Sequence, residues 1–200
     1  MHDFLIRNAL IFDGSDQAGV QGDVAINAGR IVAVGQIGDA PAAHVVDAQG
    51  LALAPGFIDV HTHDDLEVIR NPDMLSKLSQ GVTTVVVGNC GISASPVQIR
   101  DQVPDPMNLL GDAEDFRYAD FSSYRSAVEL AGPAVNVAAL VGHTALRQNH
   151  MDRLDRAARA DEITAMRTQL RDSLAQGALG LSSGLALSLI HISEPTRQEA

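Results

Sequence analysis

The sequence predicts an α/β chain: a short all-β segment, then parallel strands alternating with helices, of the kind that close into a barrel. Three observations carry this. Up to about residue 55 the chain reads as short strands separated by tight turns. From Phe57 onward the rhythm becomes strand, loop, helix, repeated, which implies a parallel sheet covered by helices. The first strand of that series, in "GFIDVHTHDD" (56–65), ends in histidines. A doubly wound dinucleotide fold would carry a glycine-rich phosphate loop at that place. A barrel is therefore the better reading.

Each element follows from local pattern. "DFLIRNALIF" alternates loosely between apolar and polar residues and runs to the turn signal Asp13-Gly14. "GDVAINAGRIVAVG" is a hairpin, with Asn27-Ala28-Gly29 as its turn, and "HVVDAQGLALAPG" adds two shorter strands around 47–50. "FIDVH" (57–61) is the first parallel strand, and "NPDMLSKLSQG" (71–81) a helix with Pro72 in its first turn and Gly81 as its stop. "VTTVVVGNC" (82–90) is apolar on both faces, as a buried parallel strand should be. A long polar insertion containing Pro96, Pro104 and Pro106 follows, then a helix near 121–131 and a third strand, "AVNVAALVGH" (134–143). The helix over 159–177 has Ile163, Met166, Leu170 and Leu174 at helical spacing and Gly177 as its cap. "ALGLSSGL" (178–185) is a fourth strand.

Bulk composition excludes several classes. A net charge of −11 speaks against a nucleic-acid surface, which needs clustered Lys and Arg. With one cysteine, Cys90, no intrachain disulfide forms, so nothing calls for an oxidising compartment. No apolar run approaches the roughly 20 residues needed to cross a bilayer, and the N-terminus lacks the pattern of a signal peptide. The expected setting is the cytoplasm, and the expected partner is a small-molecule substrate rather than a nucleic acid or a membrane.

The chemistry concentrates at strand ends. On a strand, residues i and i+2 face the same way, so His61 and His63 can converge on one ion, at the end of a barrel strand where such enzymes keep their active sites. Cys90 closes the second strand between Gly88-Asn89 and Gly91, at the same mouth. A lone cysteine is commonly a small buried hydrophobe, whereas a thiolate is also a strong zinc ligand. Asp64 and Asp65 either orient the histidines or begin the next helical turn. His143 either lines the pocket or is a satisfied polar strand end, and Arg147 meets a carboxylate or forms an ordinary surface ion pair. Ser182 and Ser183 sit at the mouth of the fourth strand, within reach of a substrate.

"GFIDVHTHDD" resembles the start of the amidohydrolase superfamily barrel. The family's other metal-bridging groups are missing here. Lys77, the only lysine, lies in the first helix rather than on the fourth strand, and the third strand ends in Val141-Gly142-His143 without a glutamate. With "GVTTVVVGNCGIS", "LVGHTALR" and "GALGLSSGL" in the same order and spacing, the chain resembles the N-acyl-D-amino-acid deacylases from about residue 3 to 186. The resemblance implies a small β-sandwich built from both chain ends on a (β/α)8 barrel, with residues 1–55 as part of the sandwich and 56–186 as the first four barrel units. It implies that His61, His63 and Cys90 ligate Zn²⁺, as one or two ions, and that the reaction hydrolyses an N-acyl-D-amino acid to a carboxylate and a free D-amino acid. Alternatives are a related cyclic-amide or dipeptide hydrolase, or a scaffold without catalysis.

The family supplies two more histidine ligands from the fifth and sixth strands and a catalytic aspartate from the eighth. No catalytic residue of that kind is expected in this chain. A whole barrel takes about 250 residues, whereas 57–186 provide 130. The family pattern breaks after Ala186, where "LSLIHISEPTR" (187–197) resembles the in-frame translation of a transposase sequencing adapter. Residues 187–200 are accordingly expected to be a read-through scar, and His191 no ligand. A chain ending there is expected to be inactive.

Overall fold

The computed structural model of the chain describes residues 1–99 and 102–184. Residues 187–200, with His191, and the end of the fourth expected strand lie outside the described residues. The chain divides into two compact units, Met1–Gly56 and the part from Phe57 onward.

The first unit is a five-stranded sheet of β1 (His2–Ile11), β2 (Val20–Asn27), β3 (Arg30–Gly35), β4 (Ala42–Asp47) and β5 (Ala52–Leu53). Strands β1, β2 and β3 pair antiparallel in sequence, while β4 and β5 run parallel to β1 on its other side. The predicted hairpin is β2–β3. Its two turn residues, Ala28 and Gly29, both hold positive φ, as a primed turn requires. Asp3 secures the turn by accepting a hydrogen bond from the Ala28 amide at 2.6 Å. Leu5 and Ala25 face each other across β1–β2 and are fully buried, with Ala9 and Val24 completing a small core. Among the described residues this unit is one sheet.

The second unit is a four-stranded parallel sheet of β6 (Phe57–Asp59), β7 (Val82–Val87), β8 (Asn136–Gly142) and β9 (Gly180–Ser182), each beside its predecessor. Such an order has no switch point, unlike a doubly wound sheet. Among the described residues five α-helices connect the strands, α1 (Glu67–Arg70), α2 (Leu75–Leu78), α3 (Phe121–Ala131), α4 (His143–His150) and α5 (Ala160–Ala175), with two short 3-10 turns between β7 and β8. α3 falls where predicted. Asp120 caps it by accepting from the Ser123 amide, and Gly132 ends it with φ 61°.

Three expectations are corrected. The helix expected over 71–81 is helical only as the single turn α2, and a separate turn, α1, precedes it across a break at 71–74. Asn71 precedes Pro72, whose ring disfavours the α region for the residue before it, and Asn71 indeed sits at φ −129°, ψ 67°. Helix α4 was not expected, because its buried face includes Arg147 and Asn149 beside Ala145 and Leu146, which hides the apolar period. The insertion after Cys90 is no solvated loop at its start. Residues 91–97 are buried, and Ile92, Ala94 and Val97 join Val85, Val87, Val141, Met107 and Phe121 in the core.

The apolar stripe of α5 is also divided by the structure. Met166 is buried at 4% exposure, whereas Leu174 is 43% exposed. Met166→Ala should therefore destabilise the chain by about 2–5 kcal/mol, and Leu174→Ala should change stability by roughly 0.5 kcal/mol or less. Denaturant midpoints of the two variants measure the contrast, and equal losses would contradict it.

Candidate metal centre

The short first strand sets the geometry. β6 ends at Asp59, so His61 and His63 lie just beyond it rather than on the strand as expected. They still converge. One donor atom from each of His61, His63 and Cys90 falls within 4.8 Å of the other two. The two imidazoles meet edge to face, with ring centres 5.9 Å apart. Nε2 of His61 is 2.8 Å from the Cys90 sulfur. Both histidines remain largely accessible to solvent, and Cys90 is half-buried.

Two nitrogens and one sulfur are a donor set suited to zinc. A tetrahedral zinc would hold a nitrogen and a sulfur about 3.6 Å apart. The His61–Cys90 contact would open by somewhat under an ångström, a change within the range of a side-chain rotation, so the residues fit the ion. Partial burial first, and the neighbouring His61 second, hold the His63 imidazole below its ordinary value, with Asp64 pulling the other way. The shift favours the neutral imidazole, the form that can donate its lone pair to a metal.

The turn bearing the histidines is braced by the only lysine. Lys77 Nζ lies 2.7 Å from Asp59, 3.0 Å from Asp64 and 3.1 Å from the Thr62 hydroxyl. Burial works against its charge, but the bonds to Asp59 and Asp64 outweigh that and hold its pKa above the usual lysine value. Lys77 is thus engaged with the carboxylates of the histidine turn. Its role is to tie the residues on both sides of His61 and His63. The amide of Asn89 crosses from the next loop to the carbonyl of Thr62, at 3.3 Å, and also donates to Val86 at 2.6 Å. Asn89 thus links the segment between the histidines to the segment holding Cys90.

Cys90 occupies a tight loop with φ 56°, in the left-handed region. A non-glycine residue there costs roughly 1–2 kcal/mol, which the surroundings must offset. Gly88 is required on one side. A Cβ on it would lie 2.1 Å from the Leu140 carbonyl oxygen. Just past β9, a Cβ on Gly184 would lie 2.0 Å from the carbonyl oxygen of Cys90.

The remaining sequence candidates are placed differently from expectation. Asp65 does not orient the histidines. Its carboxylate, 1% exposed, accepts from the amides of Gly88 and Ala94, each at 3.1 Å, and its own carbonyl accepts from the Tyr124 hydroxyl at 2.7 Å. Asp64 pairs with Lys77. Arg147 is not the surface ion pair expected. It is buried and donates to the carbonyls of Leu154 at 3.0 Å and Arg156 at 2.7 Å, because those backbone groups need a donor as the chain leaves α4. Burial, then the nearby Arg156, lower its pKa from the usual arginine value. Ser182 faces the Cys90 loop, accepting from the Gly91 amide at 3.0 Å and donating to the Gly88 carbonyl. His143 opens α4, and Ser183 packs beside Gly91; both are half-buried. The part played by Asn89 was not anticipated. Glycines on both sides of Cys90 were the one sequence signal of a loop pressed against its neighbours.

Burial pushes the Asp65 carboxyl up to about 6, against the opposing pull of the Gly88 and Ala94 amides. A folded value above the unfolded one means that its stabilising contribution is complete below about pH 4 and is lost as pH rises through about 6. Asp59 acts in the opposite sense. Its hydrogen bond from Lys77 lowers its pKa, so its contribution is lost as the medium becomes acidic. Asp65→Asn should therefore remove a decline in melting temperature between about pH 4 and pH 7. An unchanged profile would contradict this account of Asp65.

Residues 44–199 match the sequence profile of the amidohydrolase family. The chain is 52% identical to an N-acyl-D-aspartate deacylase of Alcaligenes xylosoxydans xylosoxydans over 182 residues, which is 91% of this chain and 36% of that protein. In structure it is similar to an N-acyl-D-glutamate deacylase from Bordetella bronchiseptica solved with zinc and a phosphonate mimic of the tetrahedral intermediate. That likeness has a TM-score of 0.91 and 41% identity, covering 99% of this chain and 41% of the other. It is also similar to a D-aminoacylase studied for one-metal activation and second-metal attenuation of its binuclear centre, with TM-score 0.89 and 44% identity over 92% of this chain and 39% of that one. The chain thus spans a little over a third of the length of the curated relatives it matches.

Proposed function

Because this chain belongs to the amidohydrolase family, we propose that it forms the N-terminal part of a zinc-dependent deacylase that hydrolyses N-acyl-D-amino acids to a carboxylate and a D-amino acid. The observation that carries the reading is the convergence of His61, His63 and Cys90 within 4.8 Å. The likeness to deacylases at 41–52% identity gives that convergence its substrate class.

In this reading His61 and His63 would hold the ion through ring nitrogens and Cys90 through its sulfur. The ion, when bound, polarises the amide carbonyl and lowers the pKa of a water molecule to about 7. Lys77, with Asp59 and Asp64, holds the histidine turn in place. The aspartate that takes the proton from water and passes it to the departing amine belongs, by the resemblance, to the eighth strand, outside this sequence.

The same reading completes the parallel sheet as the first half of a (β/α)8 barrel. The in-order strands and the TM-score of 0.91 support it. The N-terminal sheet then forms part of a small β-sandwich. A cytoplasmic, small-molecule enzyme agrees with the acidic composition and with the finding that no described helix is long and apolar enough to cross a membrane. Residues 187–200 we take as adapter-derived. The family match itself runs to residue 199, so this rests on the likeness of residues 187–197 to the adapter translation. Genomic sequence that encodes the same residues past codon 186 would refute it.

Two measurements test the function in the full-length protein. Cys90→Ala should remove tightly bound zinc and nearly all deacylase activity; full zinc content by elemental analysis would reject the ligand role. Amine release from N-acetyl-D-amino acids, N-acetyl-D-aspartate among them, should exceed that from the L-series. Equal rates on both series, or turnover of hydantoins alone, would move the protein to another branch of the family.

A further inference from the structure

The loop carrying Cys90 is held from two sides by buried or half-buried side chains that reach neither through helix nor through strand pairing. Asp65 comes from the segment after the histidines and accepts from the amides of Gly88 and Ala94, on either side of the cysteine. Ser182 comes from β9 and accepts from the Gly91 amide while donating to the Gly88 carbonyl. The residue Gly88 is thereby held at both its amide and its carbonyl, two positions before Cys90. Gly91, immediately after Cys90, is held at its amide by Ser182 and at its carbonyl by the Thr144 amide, at 2.7 Å.

Cys90 itself keeps the left-handed conformation that a cysteine does not favour. A released loop would relax toward negative φ, which rotates the Cα–Cβ bond and carries the sulfur away from His61. The left-handed turn is what places the sulfur 2.8 Å from the His61 ring. The ties at Gly88, Gly91 and Ala94 are what maintain that turn.

We propose that Asp65 and Ser182 are positioning residues for the sulfur ligand, fixing the Cys90 loop so that its thiolate and the two imidazoles meet at one point. The inference rests on the zinc reading of His61, His63 and Cys90, and it assigns Asp65, a neighbour of the histidines in sequence, to the third ligand instead. Outer partners that orient a metal ligand characteristically change metal affinity about 10- to 100-fold when removed.

The test uses the full-length protein, stripped of metal and titrated with Co²⁺, whose bond to a thiolate gives a near-ultraviolet charge-transfer band. Wild type should bind cobalt with that band. Asp65→Asn, which replaces one acceptor oxygen by a donor, and Ser182→Ala should each bind cobalt about 10- to 100-fold more weakly. Their charge-transfer absorption per bound ion should fall, while circular dichroism still reports a folded protein. A wild type that binds cobalt without the band would overturn the role of Cys90 itself, and this proposal with it. A wild type with the band and variants indistinguishable from it would overturn only the positioning role. Should Asp65→Asn fail to fold, Ser182→Ala decides, since it removes a single hydroxyl from a strand end. Loss of fold and of cobalt binding together in both variants would mark a purely structural role and overturn the proposal.

Discussion

An irregular segment that is buried must find hydrogen-bond partners for its backbone, and this requirement governs the second unit of the chain. Residues 91–97 leave β7 and pass into the core instead of over the surface. Among the described residues they pair with no strand, and side chains meet much of their backbone. Asp65 and Ser182 satisfy the amides around Cys90, and Ser93 accepts from the Gly142 amide at 3.0 Å. Asn149 takes up the next stretch, donating to the Pro96 carbonyl and accepting from the Gln98 amide. Close backbone approach is the other half of the solution. A Cβ on Gly142 would lie 2.6 Å from the Gly91 carbonyl oxygen, so the loop nests against β8 only because that position is glycine.

The electrostatics of the site follow from the same economy of partners. The chain has one lysine, and it stands between Asp59 and Asp64, beside the histidine turn. A cation held there neutralises two carboxylates at the turn that carries the histidines. Further along the chain, Glu162 is buried at the start of α5 and receives both Arg156 and Arg159, whose hydrogen bonds, Arg156 first, hold its carboxyl down at about 2. Together with Arg147, these groups order the stretch between α4 and α5 without a regular element. In both places, charge is used to organise turns.

The donor set shows why a short strand suffices. His61 and His63 come from the end of β6, and Cys90 from the end of the neighbouring β7. Parallel strands end at one side of the sheet, so ligands that follow adjacent strands are brought together by the sheet itself. Asn89 refines this arrangement by bridging the two ends through the Thr62 carbonyl.

Much of this was legible in the sequence. Turn residues, β-branched runs and helical spacing located most of the strands and the helices α3 and α5, and the order of motifs brought His61, His63 and Cys90 to one mouth. Local pattern carries that information because it reflects intrinsic backbone preference and strand periodicity. What it could not carry was the assignment of polar side chains to partners distant in the chain. Asp65 looked like a histidine partner because it is two residues away, yet its carboxylate reaches Gly88 and Ala94. Arg147 and Ser182 looked available to a substrate, yet each is hydrogen-bonded to backbone groups distant from the histidines in sequence. The sequence alone determined which residues can bind a metal and at which strand ends they stand. Only the tertiary structure decided which of their polar neighbours hold them there, because the need to satisfy buried backbone groups arises only when the chain has folded.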